Sequence, residues 1–111
     1  MNYGKINKKA TKKINQMWVD KDIRKCEFNL SGCMGTSMGL SNCHRHKRRR
    51  YKLWEATEED MVRILSDFNQ VMRGCPQCDQ KSEKKRDLLE EKFKEKRGPD
   101  NLQDLQDEIR A

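Results

Sequence analysis

Four cysteines in two separated pairs are the residues of this chain whose type and spacing most clearly indicate chemistry. Six residues separate Cys26 from Cys33, and two residues separate Cys75 from Cys78. Two separated pairs of thiolates are a usual way for a short chain to build a closed tetrahedral zinc site, although six intervening residues are more than the usual two to four. We therefore expect these four cysteines to bind a structural Zn²⁺. The alternative is that they are free, buried thiols.

Between the two pairs lies a segment in which histidines are followed by a run of cations. It reads CHRHKRRRY from Cys43 to Tyr51. Imidazole titrates near neutral pH and can deprotonate a water molecule, whereas lysine and arginine bind phosphate groups. The alternative is that the histidines are further zinc ligands or ordinary solvated residues. The candidate residues of this segment, together with the lysine that follows it, are His44, Arg45, His46, Lys47, Arg48, Arg49, Arg50 and Lys52.

The composition predicts one small domain that hydrophobic burial alone would stabilise poorly. Of 111 residues, 33% are hydrophobic and 39% are charged, which lies well outside the usual globular balance. A structural zinc ion contributes roughly 10–16 kcal/mol of apparent binding free energy in finger peptides. A metal ion could therefore decide whether this chain folds.

The positive charge of the chain is unevenly distributed. Residues 1–25 and 44–52 contain fourteen cations and two acids, a charge of +12, so the remainder of a chain with net charge +7 carries −5. Clustered cations beside an acidic remainder indicate a polyanionic partner, most simply nucleic acid. A membrane surface is a poorer fit, because the basic segments lack a matching apolar face.

The cysteines and the absence of long apolar runs indicate the cellular compartment of the protein. The sequence has neither a stretch of transmembrane length nor a hydrophobic signal-peptide region, so we expect a cytoplasmic protein. Thiols stay reduced there, and paired cysteines then indicate metal ligands. The count of five cysteines leaves one over after a four-ligand site.

Several segments have the spacing of helices. Residues 1–20 are expected to be a basic arm, either disordered or with a short helix near 8–19 that docks through Met17 and Trp18. Thr57 precedes three acids and an apolar stripe, which is typical of a capped helix. A single helix is predicted from about 79 to 96.

Apolar residues in two further places predict packing on the domain and in its core. Residues 98–111 should form an amphipathic helix that packs on the domain or on a protein partner, since Leu102, Leu105 and Ile109 share one face. Trp54 is expected in the core of the domain, although tryptophan can also stack on bases.

The pattern as a whole resembles the HNH endonuclease family, in particular its phage-encoded members. The resemblance covers residues 26–93 and rests on the cysteine pairs, CHRHKRRRY and LSDFNQVMRGCPQCDQK. It implies a small α+β zinc-stapled domain over residues 21–97, meaning a ββα-metal core held by a zinc ion and flanked by helices.

The resemblance also implies roles for individual residues. His44 stands where the family has the general base, and Asn69 where it has the asparagine that orients this base or its loop. Asp79 stands where the family usually has a metal-binding histidine, and could bind Mg²⁺ or Mn²⁺ together with His46. Cys43 occupies the position of an acid or histidine and suits such ions badly.

These roles imply a metal-dependent endonuclease that hydrolyses DNA phosphodiester bonds. The cations around His44 would then bind flanking phosphates. The two departures from the family pattern, Cys43 and Asp79, favour an alternative: a catalytically inactive zinc module that binds nucleic acid or inhibits a host protein.

Overall fold

Short helices surround one small antiparallel sheet in this protein. The computed structural model describes residues 2–35 and 39–111, so residue 1 of the predicted arm and residues 36–38 lie outside it. The described residues form a small, compact α+β domain. In chain order the elements are α1 (Tyr3–Asp20), β1 (Ser41–His44), α2 (Arg48–Tyr51), α3 (Glu58–Leu65), a 3₁₀ turn (Phe68–Gln70), β2 (Val71–Gly74), α4 (Pro76–Lys84), α5 (Arg86–Arg97) and α6 (Leu102–Arg110).

Helix α1 occupies most of the predicted basic arm and is longer than the expected 8–19. The side chain of Asn2 caps it by accepting a hydrogen bond from the backbone N–H of Lys5 at 3.1 Å. A stripe of residues spaced four apart is buried, which places them on one face of the helix. These residues are Ile6, Ala10, Ile14 and Trp18. The predicted docking through Trp18 is thereby confirmed, whereas Met17 is only partly buried.

Helix α3 begins where the sequence predicted. The Thr57 hydroxyl accepts from the Asp60 N–H at 3.1 Å, and the Asp60 carboxylate accepts from the Thr57 N–H at 3.2 Å. This reciprocal pair satisfies two backbone donors at the helix start. The buried residues of α3 join α1, α2 and α6 in the first apolar core, the helical core. Its members are Ile6, Ala10, Tyr51, Leu53, Ala56, Met61, Val62, Ile64, Leu65, Leu102 and Leu105.

The sheet has two antiparallel strands, and α4 follows the second strand directly. In the register of β1 and β2, Cys43 lies opposite Met72 and His44 opposite Val71. A second apolar core, the sheet core, lies between this sheet, the first cysteine segment, α4 and α5. Its members are Phe28, Leu30, Cys43, Met72, Cys75, Cys78, Leu89 and Phe93.

The helix predicted over 79–96 is two helices. Lys85 leaves helical geometry, with φ −122° and ψ 81°, and separates α4 from α5. The break allows each helix to direct its own face inward: α4 buries Cys78, while α5 buries Leu89 and Phe93. Gly98, with φ 81°, ends α5 as the sequence indicated.

Helix α6 packs on the domain itself. Leu102 and Leu105 are buried in the helical core, and Ile109 is packed against it. An ion pair between Arg63 and Glu108 joins α6 to α3 at the surface. The predicted amphipathic helix therefore covers the domain's own core.

Trp54 is not in the core, so its predicted position is wrong. Its side chain is fully exposed, at 100%. Leu53 and Ala56 are buried instead, and the Ala56 N–H donates to the Leu53 carbonyl at 3.4 Å across a tight turn. The turn directs its two end residues inward and Trp54 outward.

Candidate metal centre and adjoining cleft

The four predicted cysteines converge on one point. The sulfur atoms of Cys26, Cys33, Cys75 and Cys78 all lie within 4.8 Å of one another. In a tetrahedral zinc site with Zn–S bonds of 2.3 Å, the sulfurs are about 3.8 Å apart, and the Cys75 and Cys33 sulfurs are 4.0 Å apart. The cluster could therefore hold a metal ion such as zinc with only slight contraction. In residues 2–35 and 39–111 no second group of three or more potential ligands converges in this way.

Local backbone structure positions the second cysteine pair. Cys75 is the N-cap of α4, and its sulfur accepts from the Cys78 N–H at 3.5 Å. Pro76 occupies the first turn of α4, where its missing N–H costs nothing. One helical turn therefore places both sulfurs at the N-terminus of α4.

A turn and a strand-like contact position the first pair. The Cys33 N–H donates to the Leu30 carbonyl at 2.8 Å, across a turn in which Gly32 has φ 85°. The Glu27 N–H donates to the Arg73 carbonyl at 2.8 Å, and the Arg73 N–H donates back to the Glu27 carboxylate at 2.9 Å. These bonds fix the residue after Cys26 against β2.

The thiols of the cluster differ in their pKa values. Burial opposes ionisation of Cys75, but backbone N–H groups of Met34 and Cys78 lower the pKa of its thiol to about 6. Burial raises the pKa of the Cys78 thiol, and the pKa of Cys33 is also raised. The thiols of Cys33 and Cys78 would therefore be protonated without a metal ion, and binding of a metal by them must release these protons.

The fifth cysteine lies outside this cluster and contacts Asp79. Cys43 is buried, and its sulfur lies 3.2 Å from the Asp79 carboxylate. Burial, followed by the negative charge of Asp79, raises the pKa of the Cys43 thiol well above its usual range. The thiol is therefore protonated and donates to the carboxylate.

His44 has the geometry of a neutral base. Its Nε2 lies 2.7 Å from the Leu65 carbonyl oxygen, which can only accept a hydrogen bond. Nε2 therefore carries the hydrogen, and a neutral ring has its lone pair on Nδ1. Burial lowers the pKa of His44 below its usual value, which keeps the ring neutral. The ring of Tyr51 packs edge-on against it, with centroids 5.7 Å apart.

The side chain of Asn69 contacts the loop between α5 and α6 and also the residue that follows His44. Its Nδ2 donates to the carbonyls of Arg97 and Pro99, at 3.1 and 2.9 Å, and its Oδ1 accepts from the Asn101 N–H at 3.0 Å. Within the described part of the chain, its side chain makes no hydrogen bond to His44. Its connection to the histidine segment is through Arg45, whose Nη1 donates to Oδ1 at 3.1 Å.

Arg45 is buried, with 2% of its surface exposed, so its guanidinium is not available for the predicted contact with phosphate. Its guanidinium donates to both carboxylate oxygens of Glu90, at 2.6 and 2.9 Å, and to the Gly98 carbonyl at 3.0 Å. The neutralising carboxylate comes from α5, 45 positions away along the chain. The other predicted phosphate contacts are exposed, namely Lys47, Arg48, Arg49, Arg50 and Lys52.

His46 and Asp79, which were predicted to bind a catalytic metal together, form hydrogen bonds with different residues. Nε2 of His46 lies 2.5 Å from the Asp100 carboxylate, and its backbone N–H donates to the Tyr51 hydroxyl at 3.0 Å. Asp79 accepts from Cys43. The structure brings His46 and Asp79 to the edges of one cleft, but not into a three-ligand site.

That cleft has a volume of about 290 Å³ and combines a base, carboxylates and cations. Its walls come from the end of β1, from the residues before α2, and from α4 with the start of α5. Glu83 and Arg86 line it but were not predicted. Glu83 lies four residues after Asp79 on α4, and this spacing was the signal that could have identified it. Arg86 follows the break at Lys85, so helical spacing does not relate it to Asp79. The residues with these functional groups are His44, Asp79, Glu83, Lys47, Arg48 and Arg86.

Comparisons of the chain with protein-family models, curated proteins and solved structures gave no match. In the described ranges, none of the helices combines the length and the apolar character that a membrane crossing requires.

Proposed function

We propose that this protein is a metal-dependent endonuclease of the HNH type, which hydrolyses DNA phosphodiester bonds and uses the four-cysteine cluster to bind a structural Zn²⁺. One observation carries the proposal: the neutral base His44 shares a cleft with two carboxylates, Asp79 and Glu83, and with cations from separate elements. General base, carboxylate and phosphate-binding cation are the groups that phosphodiester hydrolysis needs.

The order of the elements around the cleft supports this proposal. Strands β1 and β2 pair antiparallel, and β2 is followed directly by helix α4. His44 ends the first strand and Asp79 lies in the first turn of the helix. This is the order that the resemblance to the HNH family implies for the base and for the metal-binding position.

The residues of the cleft suggest how the reaction would proceed. Nδ1 of His44 would accept a proton from the attacking water as its oxygen bonds to phosphorus. The P–O bond to the leaving sugar oxygen would break, and that oxygen would take a proton from solvent. The cations at the rims would hold the phosphates on either side of the scissile bond. A bound Mg²⁺ or Mn²⁺ would supply stabilisation of the negative charge that develops on the phosphate.

Two carboxylates are enough protein ligands for such an ion. Mg²⁺ usually keeps several waters and is bound through one or two carboxylates together with substrate phosphates. Asp79 and Glu83 are four residues apart on α4 and line the same cleft. A third converging protein ligand is therefore not required.

The test is cleavage of supercoiled plasmid DNA by wild-type protein and by His44→Ala and Asp79→Asn variants, in Mg²⁺ and in Mn²⁺. We expect His44→Ala to lower the rate roughly 10²–10⁴-fold, the usual contribution of a general base. Circular dichroism and metal content establish that each variant is folded. Undiminished cleavage by a folded His44→Ala protein would exclude the mechanism.

The contact between Cys43 and Asp79 favours a second candidate, a zinc module that binds nucleic acid without cutting it. A protonated thiol at 3.2 Å occupies one oxygen of the carboxylate that would bind the catalytic ion. This candidate predicts binding with no cleaved product in Mg²⁺, Mn²⁺ or Ni²⁺. If this candidate is correct, the Cys43→Asp variant, which replaces the soft thiol with a hard ligand, should gain DNA cleavage.

A further inference from the structure

Trp54 is the most exposed large apolar side chain among the described residues. It is 100% exposed, compared with 73% for Val19 and 57% for Met34, whereas the other tryptophan, Trp18, is 2% exposed. A tryptophan normally buries its large ring and finds a partner for its indole N–H. The complete exposure of Trp54 therefore needs a reason outside the folding of this chain.

The turn that carries Trp54 is held firmly at both ends. Leu53 and Ala56 are buried in the helical core, and a hydrogen bond of 3.4 Å joins them. Trp54 occupies the second position of this turn, so its ring projects from an anchored backbone. Such an arrangement presents an aromatic surface with little loss of conformational freedom on binding.

The surroundings of Trp54 are cationic. Helix α2, which carries the exposed Arg48 and Arg49, ends three residues before it. Lys52 is exposed and lies over the Tyr3 ring, 4.6 Å from its centroid. The neighbouring acid, Glu55, is paired with Arg110 at 3.0 Å, which offsets its charge.

Trp54 also lies near the proposed catalytic cleft. Arg48 lines the cleft and begins α2. Three helical steps and three extended steps separate Arg48 from Trp54, so their Cα atoms are at most about 15 Å apart. The ring can therefore reach a nucleotide close to the phosphate bound at Arg48.

We infer that Trp54 stacks on an unpaired base of the bound nucleic acid, so that the substrate of the proposed nuclease contains a single-stranded stretch beside the scissile phosphate. Every base offers a π face to an aromatic ring, and stacking between cations is the usual way in which proteins hold single strands. This inference rests on the proposed function. A membrane surface fits less well, because insertion requires an apolar face of several residues and Trp54 is a single ring.

The chain is well suited to a direct test. Because Trp54 contributes to neither core, Trp54→Ala should fold as the wild type does. Trp54→Phe retains an aromatic face, and Val19→Ala is a matched control that removes a different exposed apolar side chain. Trp18 is buried, so a change in tryptophan fluorescence on binding reports on Trp54.

The experiment measures affinity by fluorescence anisotropy of labelled DNA, for a single-stranded 12-mer of thymidylate and for a blunt 12-base-pair duplex. We expect Trp54→Ala to weaken single-strand binding by roughly 5- to 150-fold, the alanine-substitution effect of one stacked base. Duplex binding should change less than about twofold, and Trp54→Phe should recover most of the loss. Wild-type fluorescence should be quenched by the single strand, and that of Trp54→Phe should not.

The outcomes separate this inference from the proposed function. If the wild type binds DNA but Trp54→Ala binds the single strand equally well, the stacking role is wrong and the nuclease proposal stands. If the wild type binds neither DNA, both are wrong. Quenching or a spectral shift with anionic phospholipid vesicles, and none with the single strand, would overturn the inference in favour of a membrane surface.

Discussion

Replacing Arg45 with methionine should destabilise the protein strongly, although this residue belongs to a segment of surface cations. Its guanidinium is buried and donates to the Glu90 carboxylate through two nitrogens, to Asn69 and to the Gly98 carbonyl. These bonds connect the end of β1 to α5 and to the loop that follows it. Methionine would fill much of the volume but would leave the acceptors without their donor.

The contacts set the size of the effect. Removal of one partner of a buried ion pair costs about 3–5 kcal/mol. The Glu90 side chain is 34% exposed, so water can solvate part of the abandoned carboxylate. The Asn69 oxygen keeps Gln70 and Asn101 as donors. We therefore expect the lower end, a decrease of about 3 kcal/mol in the free energy of unfolding.

Urea denaturation of the zinc-loaded protein, followed by circular dichroism, measures this decrease. With an m-value of about 1.5 kcal/mol/M, the midpoint should fall by about 2 M. Arg49→Met is the matched control, because Arg49 is exposed in the same segment. Its free energy of unfolding should stay within about 0.5 kcal/mol of the wild-type value. If Arg45→Met unfolds at the wild-type midpoint, the buried ion pair does not form.

Three further predictions concern the site and the scaffold around it. The rate of DNA cleavage should fall as the pH is lowered, because His44 must be neutral to act as the base. The midpoint of this fall should lie below pH 6.5, because burial lowers the pKa of His44 from 6.5. A midpoint above pH 6.5 would contradict this role. Arg49→Met should reduce the slope of log K for DNA against log salt by about one and leave the midpoint of unfolding unchanged, whereas an unaltered slope would remove Arg49 from the interface. Gly74→Ala should cost about 1–3 kcal/mol in urea denaturation, since an added Cβ would lie 3.0 Å from the Phe28 ring and 3.1 Å from the Cys43 sulfur. Gly4→Ala meets only the Asn2 side chain, at 3.4 Å, and is its control.

Local patterns in the sequence predicted the parts of the fold that local physics decides. Thr57 and Asp60 form the expected helix start, and Ile64 and Leu65 lie on the expected buried face. The spacing of Cys75 and Cys78 also predicted a metal site, because two ligands separated by two residues are already close. Convergence of the two pairs then required only that the intervening chain fold back.

Features that depend on distant residues were not predictable. The burial of Arg45 depends on Glu90, which nothing in the local sequence identifies as its partner. The break at Lys85 has no glycine or proline to announce it and follows from the different buried faces of α4 and α5. Trp54 was placed in the core on its residue type alone, whereas the turn at Leu53 directs it outward.

The roles of His44 and Asp79 in DNA cleavage remain predictions. The structure places both residues in one cleft, and it adds Glu83 and Arg86 to them. A sequence gives residue types along one segment, but a cleft is assembled from several segments. The spacing of Asp79 and Glu83 along α4 could have identified part of one wall, and the opposite wall required the pairing of β1 with β2.

The most direct measurement is the zinc content of the purified protein and of two cysteine variants, by elemental analysis. We predict one Zn²⁺ per wild-type chain, loss of zinc and of folding by Cys78→Ser, and retention of zinc by Cys43→Ser, whose sulfur lies outside the four-cysteine cluster. Chelation of the wild type should unfold it, because metal binding and folding are coupled in such a site. A wild-type protein that is free of metal and stays folded after exhaustive chelation would contradict the account.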